Sequence, residues 1–187
     1  MMNKMRIHRA RQSGALLIEV LVAMLLLAFG MLALSATLSV AVQLPKLSGH
    51  HASAVNLAAS HIDRIRANAD GFGNYMTPLP LTQTGWSFDA IAPSNCTYPD
   101  CTVALMAAMD DADTRQAVRI ALPAGGMLVT CDSAPCTQNS HGNLWIFWQE
   151  PSTYAALVSS SSDNCPAQVT AIYTLPKPRC LYVGFKV

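Results

Sequence analysis

From Val20 to Val42 the chain runs through 23 residues without a single charge. As a helix such a run reaches about 35 Å at about 1.5 Å per residue, enough to cross a hydrocarbon layer of about 30 Å. The charges around it are lopsided. Residues 1–14 hold Lys4, Arg6, Arg9 and Arg11 and no acid, whereas the rest of the chain carries 8 basic and 11 acidic side chains, a net −3. A basic stretch ahead of an apolar run predicts a single pass with the N-terminus in the cytoplasm and everything after Pro45 across the membrane. Two simpler readings compete, a plain anchor and a cleaved secretory signal with Ser39-Val40-Ala41 as its small-residue site; the run is long for a signal and has a carboxylate, Glu19, at its head. With 51% hydrophobic and 12% charged residues the chain is not a disordered one, and a net charge of +1 with no basic stripe beyond the N-terminus excludes a dedicated nucleic-acid binder. Its 187 residues hold one ordinary domain plus an appended segment.

Glu19 is the informative residue of the first half. A carboxylate in a spanning helix costs up to about 2.5–3.5 kcal/mol at depth and less near the interface, so it calls for a partner. Ala15 lies four residues earlier, on the same helix face. A cut between Gly14 and Ala15 would create an ammonium there, a counter-charge for Glu19 in the same chain or a neighbouring one.

The stretch Gly14-Ala15-Leu16-Leu17-Ile18-Glu19-Val20-Leu21-Val22-Ala23 resembles the type IV prepilin motif. That resemblance implies a basic leader, residues 1–14, removed after Gly14 by a prepilin peptidase that also methylates the new amine of Ala15. It further implies that Glu19 guides subunits into a helical fibre. The chain departs from the motif in one place, Ala15 standing where Phe is usual. Residues 15–44 then form the spanning and polymerisation helix. Leu47, His51, Ala54/Val55, Ala58, Ile62, Ile65 and Ala69 recur at steps of three and four and predict its amphipathic continuation over 45–69. Pro45 predicts a kink or break near 43–46. The ending Asn56-Leu57-Ala58-Ala59-Ser60-His61-Ile62-Asp63-Arg64-Ile65-Arg66-Ala67-Asn68 is similar to that of the PilV family of minor pilins, the type IV pilus modification proteins, and Ala121-Leu122-Pro123-Ala124-Gly125-Gly126 resembles its hairpin entry. Asp63, Arg64 and Arg66 read as a solvated helix face, with a patch pairing to neighbouring subunits as the alternative.

Residues 70–187 read as a small head rich in Pro and Gly. Residues 103–119 predict a helix. Met127–Cys131, Leu144–Gln149 and Leu181–Val187 predict antiparallel strands joined by hairpin loops and packed on the second half of the long helix. Residues 70–95 and 151–168 are expected to be loops. The fold class is therefore α+β: a long N-terminal helix, spanning in its first half, packed on a small antiparallel sheet with disulfides. The six cysteines include two C-x4-C pairs, Cys96/Cys101 and Cys131/Cys136; with Cys165/Cys180 they make the favoured disulfide set, a four-thiolate zinc site being the alternative.

No catalytic motif, cofactor or metal site stands out. His51 and His61 read as helix-surface or packing residues. Asp110, Asp111 and Asp113 read as a solvated face, because no Gly and Glu follow to complete a calcium loop. Trp145 and Trp148 are expected in the core; with Trp86 they are also candidates for sugar or surface binding. The resemblance implies a non-enzymatic minor pilin of the inner membrane and then the cell-surface pilus. Its expected partners are prepilin peptidase, other minor pilins, the major pilin and a tip adhesin, with no nucleic acid. The rival readings are a type II secretion minor pseudopilin and a membrane-anchored adhesin.

Overall fold

The computed structural model describes residues 15–76, 83–84, 87–88, 95–97, 99–150, 163–173 and 177–187. The leader and Gly14, Trp86 and residues 151–162 lie outside the described residues. Helix α1 spans Ala15–Ala67 and contains Pro45. The expected break is not realised, as helix is assigned on both sides of the proline. Losing one rung costs about 3 kcal/mol, and the segments that flank Pro45 supply many rungs against it. The chain divides at this point into two compact units, Met1–Pro45 and Lys46–Val187.

In the first unit the side chains from Leu17 to Ser39 are exposed, and this stretch is long and apolar enough to cross a membrane. In the second, α1 runs on to Ala67. There Asn68 donates its amide to the carbonyls of Arg64 (3.1 Å) and Ile65 (3.2 Å), and the chain tightens into a 3-10 helix, Ala69–Tyr75. This turn replaces the start of the expected 70–95 loop. Two short strands, β1 (Gln83–Thr84) and β2 (Ser87–Phe88), pair antiparallel within the same stretch.

Helix α2 (Val103–Ala121) opens on Thr102, whose hydroxyl accepts from the Leu105 amide, and closes where the Leu122 amide reaches the Val118 carbonyl just before Pro123. The Leu-Pro-Ala-Gly-Gly stretch turns the chain from α2 into the first strand of a hairpin; Ala124 holds a positive φ of 48° there and Gly125 bonds back to Leu122. Strands β3 (Gly126–Cys131), β4 (His141–Trp148) and β5 (Arg179–Lys186) form an antiparallel sheet in that order. Residues 132–140 join β3 and β4 as a hairpin. The β4–β5 connection is instead long and includes a one-turn helix, α3 (Ala167–Thr170), which straddles the end of the expected 151–168 loop.

Alternation sorts the sheet into two faces. One carries Met127, Val129, Leu144, Ile146, Trp148 and Phe185 into a core shared with Ala54, Ala58, Ile62 and Ile65 of α1, Phe72 and Tyr75 of the 3-10 helix, and Ala107 and Val118 of α2. Fully burying each of the larger side chains is worth about 1.5–3 kcal/mol. The other face buries Leu128, Phe147 and Cys180 with Val169 and Tyr173 from the β4–β5 connection. Trp148 is a core residue as expected, but Trp145 is only half-buried and lies against Tyr182, its partner on β5, with ring centroids 4.5 Å apart. Two cross-strand pairs set a glycine opposite an aromatic ring, Gly126 with Phe147 and Gly142 with Phe185; a side chain at either glycine would run into that ring.

The cysteines pair as Cys96–Cys101, Cys131–Cys136 and Cys165–Cys180. The third bond spans 15 residues of sequence against 5 for each of the others, and it fastens the β4–β5 connection to β5. Cys180→Ser is expected to destabilise the head more than Cys101→Ser, by about 1 kcal/mol from the difference in loop entropy alone. Denaturant titration of the full chain in detergent, followed by tryptophan fluorescence, measures the difference. An equal or larger loss in Cys101→Ser would contradict it.

Candidate functional site

Two places concentrate chemistry, one in each unit. In the first, Ala15 stands at the start of α1 and Glu19 sits one turn on, exposed among exposed Leu17, Ile18, Val20 and Leu21. Glu19 is the one acidic residue before Asp63. Gly14, the residue before the predicted cut, lies outside the described residues.

In the second unit a polar cluster is buried where α1, the 3-10 helix and α2 meet. The buried seam of α1 is Ala54, Ala58, His61, Ile65 and Asn68, with Ile62 beside it. His61 is 0% exposed. Its Nδ1 lies 2.9 Å from the Thr114 hydroxyl, which in turn donates to the Asp110 carbonyl at 2.8 Å. The Asp110 carboxylate holds two partners: the Tyr75 hydroxyl donates to Oδ2 at 2.8 Å, and Arg64 donates to Oδ1 at 3.2 Å. Arg64 also reaches Asp113 at 3.4 Å. The Asn68 amide donates to the Tyr75 oxygen (3.3 Å) and to the Val103 carbonyl (2.9 Å), tying α1 to the first turn of α2. Along α2, Arg115 pairs with Asp111 at 2.6 Å.

These contacts correct three sequence expectations. Asp110 and Asp111 are 8% and 7% exposed, so two of the three acids of α2 are not a solvated face. Arg64 is likewise committed across the helix interface. His61 is neither a surface residue nor a plain packing residue but a member of the cluster. Asp113, Asp63 and Arg66 remain exposed; Arg66 pairs with Asp63 at 3.7 Å and donates to the Lys186 carbonyl of β5 at 3.3 Å.

The electrostatics follow from the burial. The Tyr75 phenol is pushed up to about 12, first by burial and then by the Asp110 carboxylate, so it keeps the proton it donates. His61 is pushed down to about 4 by burial, with the Arg115 and Arg64 guanidiniums adding to the effect. A second, smaller cluster lies where β4 ends. Buried Glu150 accepts from the Trp148 indole at 2.7 Å and faces His50 of α1 at 3.3 Å, while His51 lies edge-on to the Trp148 ring. Among the described residues no group of three or more His, Cys, Asp or Glu is placed to hold a metal ion.

Truncating Asp110 leaves the Tyr75 hydroxyl buried without its acceptor and Arg64 without its better-shielded partner. Asp110→Ala should therefore cost about 1–3 kcal/mol of head stability, the lower half being expected because Arg64 is partly solvated. Asp113→Ala removes an exposed contact and should stay within about 0.5 kcal/mol. The pair of variants, unfolded side by side, checks this; equal losses would mean that the Asp110 contacts contribute no more than a surface pair.

Residues 39–112 match the family model described as Tt1218-like, type IV pilin Tt1218. The match takes in the end of the uncharged run, the rest of α1, the 3-10 helix, the β1–β2 pair and the first half of α2, and it stops before the three-stranded sheet. No curated protein and no solved structure matches the chain. Long apolar N-terminal helix, three-stranded antiparallel sheet and disulfides together make a pilin-like α+β fold, and over residues 39–112 the chain is similar to type IV pilins.

Proposed function

We propose that this chain is a minor pilin of the type IV pilus, held in the inner membrane by the first half of α1 with its head in the periplasm, and later moved into the fibre. In this reading it has no active site of its own. It is the substrate of prepilin peptidase, which cuts between Gly14 and Ala15 and methylates the Ala15 amine. Its partners are then other minor pilins and the major pilin. The observation that carries the reading is Glu19. A lone carboxylate is set four residues after Ala15 on a helix otherwise apolar all round, and that helix continues into a pilin-like head. The partial match to a type IV pilin family supports the pilin part. The minor-pilin part is supported by the likeness of the Asn56–Asn68 segment to the PilV family.

Cutting removes the +4 leader, the feature that holds the N-terminus on the cytoplasmic side, and leaves an amine that matches the Glu19 charge in a low-dielectric setting. Intact-mass measurement of protein from native membranes should give a chain that starts at methylated Ala15. A chain starting at Met1, or after Ala41, would overturn the processing step. Glu19→Gln should insert and be cut normally, since the helix becomes more apolar, yet be depleted from sheared pili. Normal incorporation alongside the wild-type fibre would count against the charge-pairing role. Deletion separates the pilus from a secretion pseudopilus: loss of surface pili or twitching supports the first, loss of exoprotein release the second.

A further inference from the structure

His61 is a fully buried imidazole in the α1–α2 junction, a group whose ordinary pKa of 6.5 lies between neutral and mildly acidic pH. Its tautomer follows from its neighbours. The Asp110 carbonyl can only accept, so the single proton of the Thr114 hydroxyl is spent there at 2.8 Å. The Thr114 oxygen must then accept from His61 at 2.9 Å, which places the imidazole proton on Nδ1. Nε2 is left as the bare nitrogen, buried and without a hydrogen-bond partner among the described residues. Any second proton has to go to Nε2.

The surroundings are hostile to that proton from every side. On α1 the opposing charge is the Arg64 guanidinium. On α2 it is Arg115, while the carboxylates of Asp110 and Asp111 are already paired with Arg64 and Arg115. From the 3-10 helix comes the Tyr75 ring, edge-to-face at 5.7 Å, with its hydroxyl proton given to Asp110. The sheet residues of the same core, Met127, Val129, Leu144 and Ile146, are apolar. A charged His61 would therefore join two guanidiniums, Arg64 and Arg115, whose carboxylate partners already carry a cation each.

We propose that His61 is an acid-sensitive latch: its neutral Nδ1–H form locks α1 to α2 through Thr114, and protonation at Nε2 releases α2 and the Tyr75 turn from the long helix. The lock does not depend on the pilin reading; it is a property of the head alone. The pH window follows from the shift. The folded value, about 4, lies below the ordinary 6.5, so the stabilising contribution is complete above 6.5 and is lost as pH falls from there toward 4.

The test is denaturant titration of the full chain in detergent between pH 7.5 and 4.5, read by tryptophan fluorescence, for wild type beside His61→Gln. The folding equilibrium constant of the wild type should fall relative to the variant by up to about tenfold per pH unit below 6.5, reaching about a hundredfold by pH 4.5. Parallel pH dependence in the two proteins would overturn the proposal. Should His61→Gln fail to fold, imidazole nitrogen NMR of the wild type decides. The expected result is an Nδ1–H ring that stays neutral at pH 5.5. An Nε2–H tautomer, or titration of His61 near 6.5, would refute the latch.

Discussion

Helix α1 changes along its length from a surface apolar on all sides to a surface with one buried seam, and the rest of the fold is arranged around that change. Up to Val42 no side of the helix can face water without exposing large aliphatic side chains. From Ala54 onward only the seam of Ala54, Ala58, His61, Ile65 and Asn68 needs cover, and the opposite side carries Asp63 and Arg66. The sheet, α2 and the 3-10 helix exist to cover that seam. Alanines at its upper end leave room for the large side chains of the sheet, Trp148 and Ile146 among them, to reach the helix.

Apolar burial alone does not say how α2 must lie against α1, because it is roughly proportional to area and has no direction. Hydrogen bonds do. Asn68 fixes the first turn of α2 through the Val103 carbonyl; about two turns further Asp110 collects Tyr75 and Arg64, and a turn beyond that Thr114 meets His61. Three points spaced along one helix set both its register and its rotation. The Trp148–Glu150–His50 contacts perform the same office where β4 leaves the sheet. Each of these groups costs energy to bury and recovers it only when every partner is in place, so a shifted packing is penalised several times over.

The parts of this architecture legible in the sequence are those governed by period and composition. The apolar run, the helix at 103–119 and all three strands of the main sheet fall within a few residues of their observed limits, because hydrophobic alternation and Gly/Pro punctuation act locally. The polar cluster was not legible for a definite reason. His61 and Asn68 sit at steps of three and four from Ala58 and Ile65, squarely on the seam, but a search for apolar positions passes over them and picks Val55 and Ala69 instead. The signal that finds them is the unbroken 4-3-4-3 spacing from Ala54 to Asn68, read without regard to polarity. Asp110 is hidden for a related reason: its partners, Arg64 and Tyr75, lie tens of residues away in the chain. Pro45 shows the opposite limit, a strong local breaker overruled by the helix on either side of it.

The two glycine–phenylalanine pairs of the sheet carry a consequence for how such a chain can diverge. Each glycine is the floor on which the ring from the opposite strand rests, Phe147 over Gly126 on one face and Phe185 over Gly142 on the other. A methyl group at either glycine evicts its ring, and shrinking either ring exposes the bare backbone it covers. Neither partner can drift alone at small cost, but a joint exchange of larger-for-smaller across the pair keeps the volume. Descendants of this sequence should therefore treat each pair as a single inherited character, with substitutions at 126 and 147, or at 142 and 185, arriving together.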